Sequence, residues 1–207
     1  PTIAEMPLPS SALLAARHHR PREALNAREL EALVVTALPN IRYLTNHGGS
    51  AGVLVATASA LTLIVDGRYS ESVRARQDSP EACPELQVRP VPTSYDEVAL
   101  DVLAELGVRR PAFEAAHVSV ARHGWWTRTA QARGLALEFV PAEGVVEGLR
   151  IVKDASEIAV LREAAKRLTP VAQAVLQSLR PGVAERAVAA VIESDEVLLQ
   201  NMQRMPP

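Results

Sequence analysis

Residues 45–54 read Thr-Asn-His-Gly-Gly-Ser-Ala-Gly-Val-Leu, and inside them Gly48-Gly49-Ser50-Ala51-Gly52 fits the G-x-S-x-G pattern of a hydrolase nucleophile elbow. His47-Gly48-Gly49 resembles part of an oxyanion-hole loop. In such chemistry Ser50 attacks an acyl carbon while a histidine and an acid assist it. Asp66, Asp96, Asp101, His117 and His123 all follow in the right chain order. The flanking residues argue against this role. An elbow turns sharply from a strand into a helix, whereas Val53-Leu54-Val55-Ala56-Thr57 is a strand pattern. The segment is therefore expected to be a strand-to-strand loop whose glycines tolerate positive φ.

Other candidates reduce to structural roles. The loop lacks the Lys-Ser/Thr of a phosphate-binding motif, and no helix start follows to hold an anion. Asp66-Gly67-Arg68-Tyr69 suggests a turn or a helix cap formed by Asp66. His18 and His19 are adjacent, so on a helix they point about 100° apart and make a poor pair of metal ligands. Of Trp125 and Trp126, one ring is expected in the core and the other at a subunit interface. Arg150 and Lys153 read as a solvated linker face. A hydrolytic two-metal site needs several carboxylates, usually with histidine. No histidine follows His123, and the later acidic residues read as caps or helix surface, so no metal site is expected.

The elements that position these residues alternate. A helix from Ala12 is expected to break at Pro21 and resume over 22–31. Leu33–Thr36 reads as a buried strand and Ile41–Thr45 as a short extended segment. Strands follow at Gly52–Ala56 and Leu61–Val65, then a helix over Tyr69–Arg76. Strands at Leu86–Val91, Pro111–Glu114 and Leu135–Val140 alternate with helices over Tyr95–Leu106 and Val118–Arg133. This order predicts an α/β fold with a mixed, mostly parallel sheet flanked by helices. From about residue 141 strands stop and a helical C-terminal part follows. Asp154-Ala155-Ser156-Glu157 has the spacing of a capping box, and Pro170 is expected to kink or split the helix it opens.

Composition narrows the function classes. A net charge of −2 gives no basic surface for nucleic acid or an anionic membrane. Cys83 is the single cysteine, which rules out an intrachain disulfide and suits a reducing compartment. The short apolar run at 12–16 has no basic residue before it and does not read as a signal peptide. No apolar run reaches the roughly 18 residues of a membrane span. A cytoplasmic protein is expected.

Three segments together carry a resemblance: LVVTALPNIRYLT at Leu33–Thr45, LTLIVDGRY at Leu61–Tyr69, and VVEGLRIVKDASEIAVLREAA at Val145–Ala165. They are similar to the creatinase-type N-terminal domain of Xaa-Pro aminopeptidases and prolidases, the metallopeptidases with a pita-bread catalytic domain. The resemblance covers about 24–193. It implies an N-terminal domain at 10–141, a linker at 142–153, and a helical opening of the catalytic domain at 154–207. In that family the N-terminal domain helps to form the oligomer and narrows access to the active site. It also implies that the loop after Tyr43-Leu44-Thr45 lies near a neighbouring subunit's substrate pocket. Here Asn46-His47 replace the usual Gly-aromatic pair, and His47 is the candidate substrate-proximal residue.

The five metal ligands that hold two divalent ions such as manganese or zinc lie, by the same resemblance, in the catalytic domain. Pro181-Gly182-Val183-Ala184-Glu185 follows the family's P-G-x-T-E pattern with Ala184 at the capping position. The likeness ends at Glu193. The expectation is a truncated family member without catalytic residues, metal ligands or cofactor of its own, inactive alone. It would act in assembly and substrate access, with a second copy or a full-length relative as partner. A stand-alone interaction module is the second reading, and a serine hydrolase using Ser50 the third.

Overall fold

The structure, a computed structural model, describes residues 8–193. Helix α1 spans Ser11–Asn26 and is capped by Ser10, whose hydroxyl accepts the Leu13 amide. Pro21 does not break it. Leu14, His18, Pro21 and Leu25 form one buried stripe, and packing of that face outweighs the hydrogen bond that proline removes. Strand β1 follows at Ala32–Val35, buried throughout.

Residues 41–45, expected to be extended, instead lie in α2, Leu38–Thr45. Pro39 sits in the first turn, where its missing N–H costs nothing. Ile41 and Leu44 are buried on one face, and Asn46 ends the helix in the left-handed region at φ 61°. A run this short gives both readings the same apolar pattern, and tertiary contacts decided between them.

Strands β2 (Val53–Thr57) and β3 (Leu61–Val65) form a hairpin, and Asp66 caps α3, Gly67–Arg76. Then come β4 (Leu86–Pro90), α4 (Tyr95–Glu105, capped by Ser94), β5 (Pro111–Glu114) and α5 (Val120–Ala132, capped by Ser119). The last strand, β6, is only Val140–Ala142, because its ladder follows the short β5. Leu137 and Phe139, expected inside that strand, pack beside Trp126 and its neighbours.

The sheet order is β4-β3-β2-β1-β5-β6. Strand β2 runs antiparallel to both neighbours, and the other pairings are parallel. The mixed, mostly parallel α/β sheet is therefore as the sequence pattern predicts. Alternation sends Leu33, Val35, Leu54 and Leu63 to one face, where Leu14, Leu25, Ile41, Leu44 and Val73 from α1, α2 and α3 cover them. It sends Val34, Val53, Val55 and Ile64 to the other, under Val98, Val102, Leu103 and Trp126 from α4 and α5.

Helix α6, Glu147–Ile151, completes the first compact unit, Leu8–Val152. A second unit holds 153–193, with α7 (Ala155–Ser178) and α8 (Glu185–Glu193). The capping box forms at α7: Asp154 Oδ1 accepts the Glu157 amide at 2.9 Å and Glu157 Oε2 accepts the Asp154 amide at 3.0 Å. Pro170 lies within α7 and does not split it. The carbonyl it leaves unbonded belongs to the exposed Lys166, where water can satisfy it.

Candidate functional site

The loop between α2 and β2 is built around an imidazole. Thr45 Oγ1 accepts the His47 amide at 3.2 Å, and His47 Nε2 donates to the Ala51 carbonyl at 3.1 Å. His47 is only 4% exposed, and its ring meets the Tyr69 ring edge-on at 5.3 Å. A Cβ on residue 49 would stand 2.5 Å from His47 Cε1 and Nε2, so only glycine fits there. Burial lowers the His47 pKa, and the imidazole is neutral at pH 7. Asn46 anchors the start of the loop by donating to the carbonyls of Pro9 and Glu81. Ser50 stands on the exposed side. Its Oγ lies 2.7 Å from the Tyr69 hydroxyl, which also accepts the Ser50 amide at 3.2 Å.

Ser50 borders an open cleft of about 490 Å³ at the carboxyl ends of β1, β4 and β5 and the start of β2. Open α/β sheets bind ligands at such an edge, where the connections switch sides. The charges on the wall are paired. Asp96 Oδ1 accepts from Arg122 Nε at 2.8 Å and from Trp126 Nε1 at 2.9 Å. Beside the cleft, Asp66 takes the Arg68 guanidinium and the Tyr95 hydroxyl, and these hold its carboxyl well below the usual carboxylate range.

Beneath the same edge lies a buried polar hub. Glu114, 5% exposed at the end of β5, accepts the amides of Thr36 at 2.6 Å and Ala37 at 2.8 Å and the Asn40 amide group at 2.6 Å. Helix α2 has no cap of its own, so a carboxylate from another strand supplies it. Asn40 also donates to Glu147 at 2.6 Å and accepts from Arg150 at 2.7 Å. Arg150, expected on a solvated face, thus joins α6 to α2. Thr36 Oγ1 bonds Glu114 and lies 2.8 Å from His117 Nδ1.

Residues 17–152 match the model of the creatinase/prolidase N-terminal domain. The chain belongs to that family. Over 164 residues it is 27% identical to the uncharacterized peptidase YqhT of Bacillus subtilis, which covers 79% of this chain and 44% of that protein. Among solved structures it is similar to the Xaa-Pro dipeptidase from Bacillus anthracis, with a TM-score of 0.76, 25% identity, and coverage of 90% of this chain and 49% of the other. It is also similar to the N-terminal domain of the cytoplasmic peptidase PepQ from Mycobacterium tuberculosis. There the TM-score is 0.55 with 29% identity, covering 65% of this chain and 98% of that domain. The chain thus spans about half the length of the full-length relatives it matches.

As its flanking residues predict, Ser50 precedes a strand, β2, and no helix follows it; but a helix, α2, leads into its loop in place of the expected strand. Its hydroxyl is paired with a phenol. His47 is enclosed by its own loop, while Ser50, Thr36 and His117 reach the cleft. His18 is buried and bonds the Leu44 carbonyl, whereas His19 meets Glu23 on the surface, so the pair points apart. Trp126 is in the core. Among the described residues no group of three or more His, Cys, Asp and Glu can hold a metal ion. The described residues therefore do not fit the pair of divalent ions implied for the family's catalytic domain. Among them, too, no helix is long and apolar enough to cross a membrane. The Glu114–Asn40 hub escaped the sequence reading, and its one signal is a carboxylate closing an otherwise apolar strand pattern, Pro-Ala-Phe-Glu.

Proposed function

We propose that this chain is the non-catalytic N-terminal domain of an Xaa-Pro peptidase-like protein and serves assembly and substrate access. The carrying observation is its match to 98% of a solved N-terminal domain of this family. On this reading 10–141 is the family domain, 142–153 the linker and 154–207 the start of the catalytic domain. The working partner is a second copy or a full-length relative, in the cytoplasm. A full-length relative supplies the metal site, and a peptide substrate is engaged only where such a catalytic domain is present. His47 acts on the substrate side through the loop it shapes, because a buried neutral imidazole fixes where Ser50 and Ala51 stand.

A stand-alone interaction module is favoured by a separate observation: Leu161, Leu168 and Leu176 of α7 are each more than half exposed. The serine hydrolase reading finds no support in a hydroxyl bonded to tyrosine ahead of a strand.

Hydrolysis of an Xaa-Pro peptide by the purified chain, with and without manganese, tests the proposal. No turnover is expected in either condition. Metal-dependent turnover would overturn it, and covalent labelling of Ser50 by a fluorophosphonate would restore the hydrolase reading. Size-exclusion chromatography with light scattering separates self-assembly from a chain that waits for a relative.

A further inference from the structure

Helix α7 carries a repeat that its own unit leaves largely open. Ile158, Ala165 and Ala172 recur every seven residues, and Leu161, Leu168 and Val175 each follow three positions later. Spacing that alternates three and four is the a and d pattern of a coiled coil. Leu179, at the helix end, continues it. Leu161 is 54% exposed and Leu168 65%, and Ala165 and Ala172 are exposed between them. Ile at an a position with Leu at d favours two strands, and the alanines let the helix axes come close. Pro170 falls at f, farthest from the seam, so the hydrogen bond it removes faces away from a partner. The ion pair of Glu163 with Arg167, at 2.8 Å, lies on that outer side too.

The flanking positions identify the partner. In a parallel pair, each g residue meets the e residue five positions on in the other helix. This rule joins Glu157 to Arg162, Ala164 to Thr169, and Val171 to Leu176. The result is an ion pair on each side of the seam, then a small contact, then an apolar one. No like charges meet, so the stripe is complementary to itself. The rule also accounts for Leu176, which is 66% exposed although it lies outside the a and d positions. Glu157 caps α7 through Oε2, and a carboxylate has further acceptor sites for a guanidinium. An antiparallel pair matches g with g and e with e, so Glu157 and Arg162 would not meet.

We infer that α7 pairs in parallel with α7 of a second copy of this chain, as a short two-stranded coiled coil along 158–175. The inference rests on the reading of this chain as an assembling domain, and names its partner and its surface.

Analytical ultracentrifugation of the 207-residue chain over a concentration series tests it. A dimer is expected with a dissociation constant of about 10 μM, since the seam is short and holds two alanines. Leu161→Glu combined with Leu168→Glu puts charge into the seam and should leave a monomer up to about 500 μM, a loss of about fiftyfold. Both leucines are exposed in the single chain, so its circular dichroism should not change. Arg162→Glu sets like charges together and should weaken pairing about fivefold. Gln173→Glu, at the outer position b, should leave it unchanged.

Ala172→Cys reads the direction. Parallel pairing sets the new thiol against its own copy, so mild oxidation should link the dimer, whereas the parent, whose Cys83 is buried, should stay unlinked. A chain that is monomeric at about 500 μM overturns the inference. So does a dimer indifferent to the double substitution, or one that Ala172→Cys fails to link. A monomer whose α7 binds a full-length relative instead would overturn self-pairing and leave the proposed function standing. Manganese-dependent turnover of an Xaa-Pro peptide would sink that function, while the mass of the double variant would still decide the pairing.

Discussion

Glu114 and Asp66 stand at the carboxyl ends of β5 and β3, at one edge of one sheet, and each carboxylate caps a helix start. Glu114 is buried and caps α2 from a different element. Asp66 caps the helix that follows it, α3, with its side chain 22% exposed and Arg68 folded back onto it. The first holds the fold together, because every donor around it would be stranded without it. The second can be solvated in its absence. Depth below the surface therefore separates a structural carboxylate from a surface one, although the two occupy equivalent positions on their strands. The loop of His47 and Ser50 lies between these extremes, with a buried imidazole inside and an exposed hydroxyl pair outside.

Breaking the buried side should have the largest effect. Glu114→Ala strands the amides of Thr36, Ala37 and Asn40, and should cost about 3 kcal/mol in urea unfolding. A loss below about 1 kcal/mol would place Glu114 with the surface carboxylates. Asn40→Ala should cost about 2 kcal/mol, since Glu114 and Glu147 lose their shared donor and α6 its tie to α2. Faster amide exchange in α6 would locate that loss.

Gly49→Ala comes next, at about 1–2 kcal/mol, because the new methyl overlaps the His47 ring. Combined with His47→Ala, the two costs should add to less than their sum, since the small residue makes room for the methyl. Strict additivity would show that the ring is not what excludes a side chain at 49.

The smallest effects are in the acid limb of stability. Burial lowers the pKa of His18 and His47 below 6.5, so the unfolded chain takes up protons first. Their contribution is complete above pH about 6.5 and declines as pH falls through the folded values. Asp66 is depressed by its bonds to Arg68 and Tyr95, so its contribution is complete above pH about 4 and fades only in stronger acid. His47→Gln should flatten the first decline and Asp66→Asn the second, as read from urea midpoints across pH. If Asp66→Asn changed the decline near pH 6 instead, the assignment of the two steps would be reversed.

Much of this molecule was legible before its fold. The Asp154–Glu157 capping box formed as its spacing requires, because both partners lie within one turn. The strand at Leu61–Val65 and the cap at Asp66 were local in the same way. Alternation of strand and helix patterns was enough for the sheet class. The segments that misled were short or proline-bearing. Residues 41–45 carry apolar side chains that suit a strand as well as a helix turn, and Pro21 lies in a helix it was expected to interrupt, while Pro170, expected to kink or split its helix, does not split it.

The division has a physical basis. Sequence by itself determined what neighbours along the chain decide: strand patterns, caps, turns, and the absence of a helix after Ser50. Tertiary structure alone decided the pairings that span many residues. Glu114 reaches Asn40 across 74 positions, and only β5 lying parallel to β1 makes that possible. Tyr69 reaches Ser50 across 19 positions, through the hairpin that places α3 beside the loop. Local propensity acts within a few residues, whereas burial and long-range hydrogen bonds depend on which distant segments the assembled sheet brings together.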